Sequence, residues 1–253
     1  MATLDEDRLI FGKGTSENEW KQWLDSLKLA SISAQYLVGQ KQRVVLLAPH
    51  PDDEVLACGG ILALLSQIEI PILIIAVTDG EASHQNSVYW TTTKLKEVRP
   101  KESDTALQLL NIQCDIERLE IPDGEVQKYK KILSQKLISL LTIDDIVLSP
   151  WILDGHPDHE AVTEVAVTVT NKLNIPLIQT PIWMWHWANP KENRIPWQRA
   201  RVIELDKTLQ MRKKEALFAF QSQTTVDKNV PTTPILPYYV IDRFTRPYEV
   251  VFI

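Results

Sequence analysis

The chain has 253 residues, 44% hydrophobic and 24% charged, with a formal net charge of -6. That length suits one large domain with a sizeable core, read as a single domain over residues 1–253. The acidic balance argues against nucleic acid as a partner, and no stretch reaches the ~18 apolar residues of a transmembrane segment.

Two cysteines, Cys58 and Cys114, sit in apolar surroundings, which disfavours a disulfide framework and fits a reducing compartment. The opening MATLDEDRLIFGKG is acidic and lacks a secretory apolar core. A cytoplasmic location is expected. The oligomeric state is not readable.

In chain order, Ser16-Glu17-Asn18-Glu19 has capping-box spacing ahead of Trp20 and Trp23, which marks an early helix. Residues 43–48 read as a buried strand. Further apolar runs follow at 70–77, 116–121, 143–148, 175–183 and 201–205. Amphipathic or apolar helical patterns lie between them, at 54–67, 98–110, 125–141, 158–173 and 207–221. Pro100 fits the 98–110 helix only in its first turn. Gly59 and Gly60, inside the apolar 54–67 helix, imply a close approach to the sheet. Continuous apolar strands alternating with helices predict an α/β fold. The expected form is a Rossmann-like, mainly parallel sheet with helices on both faces, a three-layer sandwich. Ligands bind such sheets beyond the carboxyl ends of the strands.

Two stretches with unusual chemistry fall at such ends. The first is LLAPHPDDEVLACGG, residues 46–60. His50 and Asp53, three apart, share a face if a helix starts here, and an imidazole with a carboxylate is half of a divalent metal site. Asp52, on another side, is placed to take a proton from a metal-bound water. An acid-capped helix start accounts for Asp52, Asp53 and Glu54 but not for His50, whose cation is disfavoured there. The second stretch is SPWILDGHPDH, residues 149–159. Three of the five histidines lie in these two loops. His50, Asp53, His156 and His159 together would close a structural site, whereas a catalytic zinc keeps one position open. One later histidine is therefore free, and spacing does not say which. The free one, protonated, suits an oxyanion or a leaving amine, with Asp158 to orient it.

These segments resemble the PIG-L/LmbE-like family of metal-dependent N-acyl deacetylases. The carriers are Ala48-Pro49-His50-Pro51-Asp52-Asp53-Glu54 and His156-Pro157-Asp158-His159. Pro49 departs from the family's A-H-P-D-D-E pattern. Thr78-Asp79-Gly80-Glu81, Arg99-x-x-Glu102 and Pro122-Asp123-Gly124 resemble weaker family motifs, so the likeness spans about residues 43–165. The resemblance implies removal of an acetyl group from an N-acetylated sugar such as an N-acetylglucosamine conjugate. It implies His50, Asp53 and His159 as ligands of one divalent metal, Zn2+ first and Fe2+ second. Asp52 becomes the general base and His156 the oxyanion group, with Arg99, Asp123 and Glu81 toward the substrate. The partner is then a small-molecule N-acylated sugar or sugar conjugate.

Residues 181–190, PIWMWHWANP, place Trp183, Trp185 and Trp187 on one face if extended, and Met184 and His186 on the other. Core packing is favoured over a carbohydrate wall, and His186 stays outside the catalytic set. Two rival functions remain. Two histidines and a carboxylate also form the facial triad of iron oxygenases, but the adjacent Asp52 counts against it. A non-enzymatic ligand-binding domain of the same fold would hold no stoichiometric metal.

Overall fold

The computed structural model describes residues 7–227 and 233–253. Among them eight strands form one sheet: β1 (Ala30–Ser31), β2 (Arg43–Ala48), β3 (Ile72–Ala76), β4 (Asp115–Arg118), β5 (Asp145–Pro150), β6 (Leu177–Thr180), β7 (Ala200–Glu204) and β8 (Tyr248–Phe252). The longer helices are α1 (Glu17–Leu27), α3 (Asp53–Gln67), α4 (Thr92–Leu109), α5 (Val126–Leu140), α6 (Pro157–Leu173) and α8 (Lys207–Leu217). Short ones are α2 (Ala34–Val38), α7 (Met184–Trp187), α9 (Gln221–Thr224) and α10 (Tyr238–Ile241). No described helix is long and apolar enough to cross a membrane.

The strand order is β1-β7-β8-β6-β5-β2-β3-β4, with β8 antiparallel to both its neighbours and every other pairing parallel. The chain leaves β2 toward β3 on one side and later returns to β5 on the other. This makes the carboxyl ends of β2 and β5 a topological switch point, where doubly wound sheets bind ligands.

Strand β2 shows why a continuous apolar run is needed. Val44, Leu46 and Ala48 join the core under α1, α2, α3 and α8, while Val45 and Leu47 join the core under α5 and α6. Alternate residues serve opposite layers, so no position is left for a polar side chain. Helix α3 is buried along almost its whole length, against β2, β3 and β8 on one side and α4 and α8 on the other.

Gly60 confirms the close approach. A Cβ there would meet Leu205 side-chain atoms at 2.5 and 2.6 Å, at the end of β7. The same spot holds a buried ion pair. Glu249 of β8 accepts the N–H groups of Gly60 and Ile61 at 2.7 Å each, and Lys213 donates to Glu249 at 2.5 Å and to the Leu56 carbonyl at 2.9 Å. Strand β8 and helix α8 are thereby pinned to the interior of α3, the helix that carries Asp53.

Several expected boundaries move. Helix α4 begins at Thr92, not 98, because the Thr91 hydroxyl accepts the Lys94 N–H. Pro100 consequently lies inside the helix rather than in its first turn. The run 116–121 is strand only as Asp115–Arg118, and 207–221 splits into α8 and α9. The 175–183 strand stops at Thr180, and the tryptophan stretch is not extended: residues 184–187 form α7. Strands β1 and β8 were not foreseen. Pro49 leaves the strand end undisturbed. Its carbonyl accepts from Thr78 N and Oγ1 at 3.1 and 2.8 Å, continuing the line of β2 beside β3.

Candidate metal centre and active site

Both motifs fold at the switch point. The chain after β2 turns at Pro49-His50-Pro51 and enters α3 at Asp53. The chain after β5 loops through residues 151–156 and enters α6 at Pro157, so His159 lies in the first turn of α6. Because β2 and β5 are adjacent and parallel, the two turns meet.

Three atoms converge there. His50 Nδ1 lies 3.2 Å from Asp53 Oδ2 and 3.2 Å from His159 Nε2, and His159 Nε2 lies 3.1 Å from Asp53 Oδ2. Each ring is turned by a carboxylate on its other nitrogen. His159 Nδ1 pairs with Asp154 Oδ2 at 2.8 Å, and His50 Nε2 faces Asp123 Oδ1 at 3.1 Å and Asp158 Oδ2 at 3.4 Å. These outer carboxylates take the ring protons, which leaves two nitrogen lone pairs and a carboxylate oxygen pointing at one spot.

The electrostatics of these groups favour a cation. Burial opposes the charged form of His50, but Asp123, Asp158 and Asp53 outweigh it and hold its pKa well above the usual value. Burial likewise opposes charge on His159, and Asp53 and Asp154 nonetheless raise it to about 9. Burial would raise Asp53, but His159 and His50 hold it far below the ordinary carboxylate range. Positive charge is thus demanded, yet two N–H groups crowd each other where the ring nitrogens face at 3.2 Å. A divalent ion satisfies all three atoms. Bonds of about 2.0–2.1 Å in tetrahedral array separate ligand atoms by roughly 3.3 Å, close to the spacing seen.

His156 also adjoins His50 and His159, with ring centroids 4.7 and 4.9 Å away, and the three histidines form a possible ligand trio. His50, Asp123 and Asp158 form another. The second is the weaker holder, since Asp158 already accepts Gly124 N at 2.7 Å and Val126 N at 3.1 Å. In His156 the Nδ1 accepts the Asp158 N–H at 3.2 Å, so the neutral ring carries its proton on Nε2. Burial, then the neighbouring His50 and His159, lower its pKa to about 3. The direct partner of the His156 ring is the Asp158 backbone, while the Asp158 carboxylate, expected to orient this ring, accepts from the start of α5 and faces His50.

Asp52 immediately precedes α3 without a side-chain capping bond, and its φ of 136° is a conformation that L side chains rarely adopt and that stores about 1–3 kcal/mol. Arg99 holds it there. The guanidinium donates to Asp52 Oδ2 at 2.9 Å, the Pro51 carbonyl at 2.8 Å and the Gly80 carbonyl at 2.7 Å. Burial raises the Asp52 pKa to about 7, with Arg99 opposing and Asp53 adding to the rise. Glu54 accepts the Asp52 N–H at 3.0 Å and the Ser103 hydroxyl, bracing the turn.

A cavity of about 540 Å³ opens over these groups. His50, Asp52, Asp53, Arg99, Asp123 and His156 line it; Glu81 does not. Arg99 is 3% exposed, and its amino groups are committed to protein acceptors rather than offered to a sugar. Glu81 Oε1 accepts the Asp123 N–H at 3.3 Å and so supports the loop that faces His50.

Asp154 is the residue that sequence reading passed over. Fully buried, it accepts from His159, and also from the N–H groups of Ile182, Trp183 and Met184 at 2.8, 3.0 and 3.2 Å. One carboxylate orients a metal-ligand histidine and gathers the start of α7. The signal was an acid two residues before His-Pro-Asp-His in a loop already rich in ligands. The tryptophans separate accordingly. Trp185 is buried in the core, Trp187 stacks on Trp151, and Trp183 lines the cavity. His186 is a packed residue between Arg243 and the Phe11 carbonyl.

Residues 45–170 match the family PIG-L, described as GlcNAc-PI de-N-acetylase. A diacetylchitobiose deacetylase of Thermococcus kodakarensis is 26% identical over 123 residues, 47% of this chain and 45% of that protein. A probable N-acetyl-alpha-D-glucosaminyl L-malate deacetylase 2 of Bacillus anthracis is 26% identical over 140 residues, 51% of this chain and 61% of that protein. The chain thus spans roughly half the length of these curated relatives. A zinc-inhibited form of a teicoplanin deacetylase has the same fold, with a TM-score of 0.60 at 18% identity over 83% of this chain and 97% of that one. The motifs, the fold and the matched segment agree: through residues 45–170 this chain belongs to the PIG-L/LmbE-like family of deacetylases.

Proposed function

We propose that the chain is a metal-dependent N-deacetylase that hydrolyses the amide of an N-acylated amino sugar. The observation that carries this reading is the triangle of His50 Nδ1, Asp53 Oδ2 and His159 Nε2, of which His50 and Asp53 line one cavity together with the strained Asp52. The relatives named for diacetylchitobiose and for an N-acetylglucosaminyl malate support an N-acetylglucosamine-type substrate.

A divalent metal on these atoms would lower the pKa of a water at its open position and polarise the amide carbonyl. Two imidazoles and one carboxylate suit zinc, with ferrous iron the alternative. The chain's own residues supply the proton chemistry. Asp52, ionised, accepts a proton from the attacking water as the new C–O bond forms. The carboxyl so formed can then return the proton to the amide nitrogen, so that the C–N bond breaks and a neutral amine leaves. His156 Nε2–H donates to the carbonyl oxygen as negative charge gathers on it. Arg99 keeps the Asp52 carboxylate in place, Asp158 holds the α5 loop against His50, and Asp123 both orients His50 and accepts from a sugar hydroxyl. Glu81 acts through Asp123.

The sheet takes strands from near both ends of the chain, which supports residues 1–253 as one domain. Cys58 and Cys114 are both free, which supports a cytoplasmic location. The experiment is free-amine release from N-acetylglucosamine conjugates by chelated protein reloaded with zinc or ferrous iron. Activity that disappears on chelation and returns with one of these ions is expected. Amine release unaffected by chelation would refute the metal's part. Oxygen consumption by the ferrous protein in place of amine release would favour the oxygenase reading.

A further inference from the structure

The cavity lining is of two unlike kinds. The groups around the ligand triangle are ionic. A second set is apolar or aromatic and includes Phe11, Trp183, Ile235, Leu236, Tyr239 and Val240. None of these six lies within the family-matched residues 45–170. The apolar wall grades outward, from Leu236 at 3% exposed and Val240 at 4% to Ile235 at 38% and Phe11 at 80% on the rim.

The rim is anchored. Arg243, buried behind it, donates to the Lys13 carbonyl at 2.5 Å and the Thr15 carbonyl at 3.0 Å. Its Nη1 meets His186 Nδ1 at 3.0 Å, and His186 Nε2 lies 3.2 Å from the Phe11 carbonyl. This buried pair holds the segment that carries Phe11. The main chain at Trp183 is held from the other side, its backbone N–H donating to Asp154 Oδ2 at 3.0 Å. An anchored apolar surface sharing one cavity with charged groups is the form of a site for a two-part ligand.

We propose that the amino sugar processed here carries an apolar aglycone, which lies along the Phe11–Trp183–Leu236–Tyr239 wall while the N-acyl group reaches the ligand triangle. The proposal rests on the deacetylase reading. An aglycone fits better than a long acyl chain. The scissile carbonyl must lie on the ionic floor between Asp52 and His156, so the group that extends to the open rim is the one on the far side of the sugar.

The test compares methyl, phenyl and octyl glycosides of N-acetylglucosamine, in both anomers, with N-octanoylglucosamine as the acyl-chain arm. Binding of the same glycosides to the Asp52→Asn protein is measured by calorimetry. The phenyl and octyl glycosides are expected to exceed the methyl glycoside in kcat/KM by about tenfold or more, mainly through KM. Calorimetry should give the same order. Trp183→Ala and the exposed-site variant Phe11→Ala should bring the apolar-to-methyl ratio toward one. Equal handling of all glycosides, a ratio unchanged in both variants, or a gain that follows acyl length alone would overturn the proposal. If no substrate releases amine, the deacetylase reading fails, and calorimetry still decides the wall: preferential binding of the apolar glycosides upholds it, and equal binding refutes it.

Discussion

The family-matched segment, residues 45–170, and the flanks on either side line one cavity by different physics. The matched segment works with buried charge. His50, Asp53 and His159 are each turned or held by further ionic partners, and Asp52 sits in a strained conformation under Arg99. Such an arrangement tolerates little change, because an unpaired buried ion is expensive. The flanks work with packing. Trp183, Leu236 and Tyr239 present apolar surface, and their polar groups serve to fasten segments, as Arg243 does for the Phe11 rim. The contrast separates what a site does to an amide from what it will accept around that amide. The two regions touch at Asp154, which serves His159 and the start of α7 at once, and at α3, where Lys213 and Glu249 of the flanks grip Leu56, Gly60 and Ile61.

The strongest challenge to this division is His159→Ala. It should abolish stoichiometric metal binding, a loss beyond the about 100-fold ceiling typical of outer-sphere changes, while leaving the secondary structure intact. Metal analysis after dialysis with circular dichroism checks both. Next, Lys213→Met should lower unfolding stability by roughly 3–5 kcal/mol in urea melts, because it leaves the Glu249 carboxylate buried without its cation. An unchanged midpoint would show that the flanks do not brace α3. Asp154→Asn should weaken metal binding about 10–100-fold, since the amide no longer matches the His159 ring as the carboxylate does. It sharpens the comparison if aromatic fluorescence also changes at the α7 tryptophans.

The smallest expected effect is on pH dependence. Asp52 must be ionised to accept a proton, so kcat/KM falls as pH drops through its pKa. Burial raises that pKa to about 7 in the metal-free protein, and Arg99 opposes the rise. A bound cation moves the acid limb below 7. Arg99→Gln removes the opposing charge and should move the limb to higher pH, by about one unit for each ~1.4 kcal/mol of lost attraction. A limb that stays in place would detach Arg99 from Asp52.

Much of this was legible in the sequence. The 43–48 strand, the helices at 54–67, 125–141 and 158–173, and the meeting of the two His-Pro-Asp motifs follow from local periodicity and strand alternation. The rest depended on partners distant in sequence. PIWMWHWANP has the look of a strand, but the Asp154 carboxylate collects the N–H groups of residues 182–184 and turns the chain into a helix. Arg99 suggests a substrate-binding fork until Gly80, Pro51 and Asp52 are seen to occupy it. Pro100 suggests a helix start because proline suits a first turn, whereas the cap of α4 lies earlier, at Thr91. Strand β1, two residues long, carries too little periodicity to read. Strand β8 was not read because its run YEVVF carries Glu249, a charge whose partner Lys213 is brought to it only by the fold.

The central claim is that Asp52 moves the proton for a metal-assisted amide hydrolysis. The most direct measurement is free-amine release from an N-acetylglucosamine conjugate by Asp52→Asn and unmodified protein at equal metal content. The account expects the unmodified protein to release amine and the variant to fall by about 10²–10⁴-fold with its metal retained. Full activity in the variant, or none in the metal-replete unmodified protein, would contradict it.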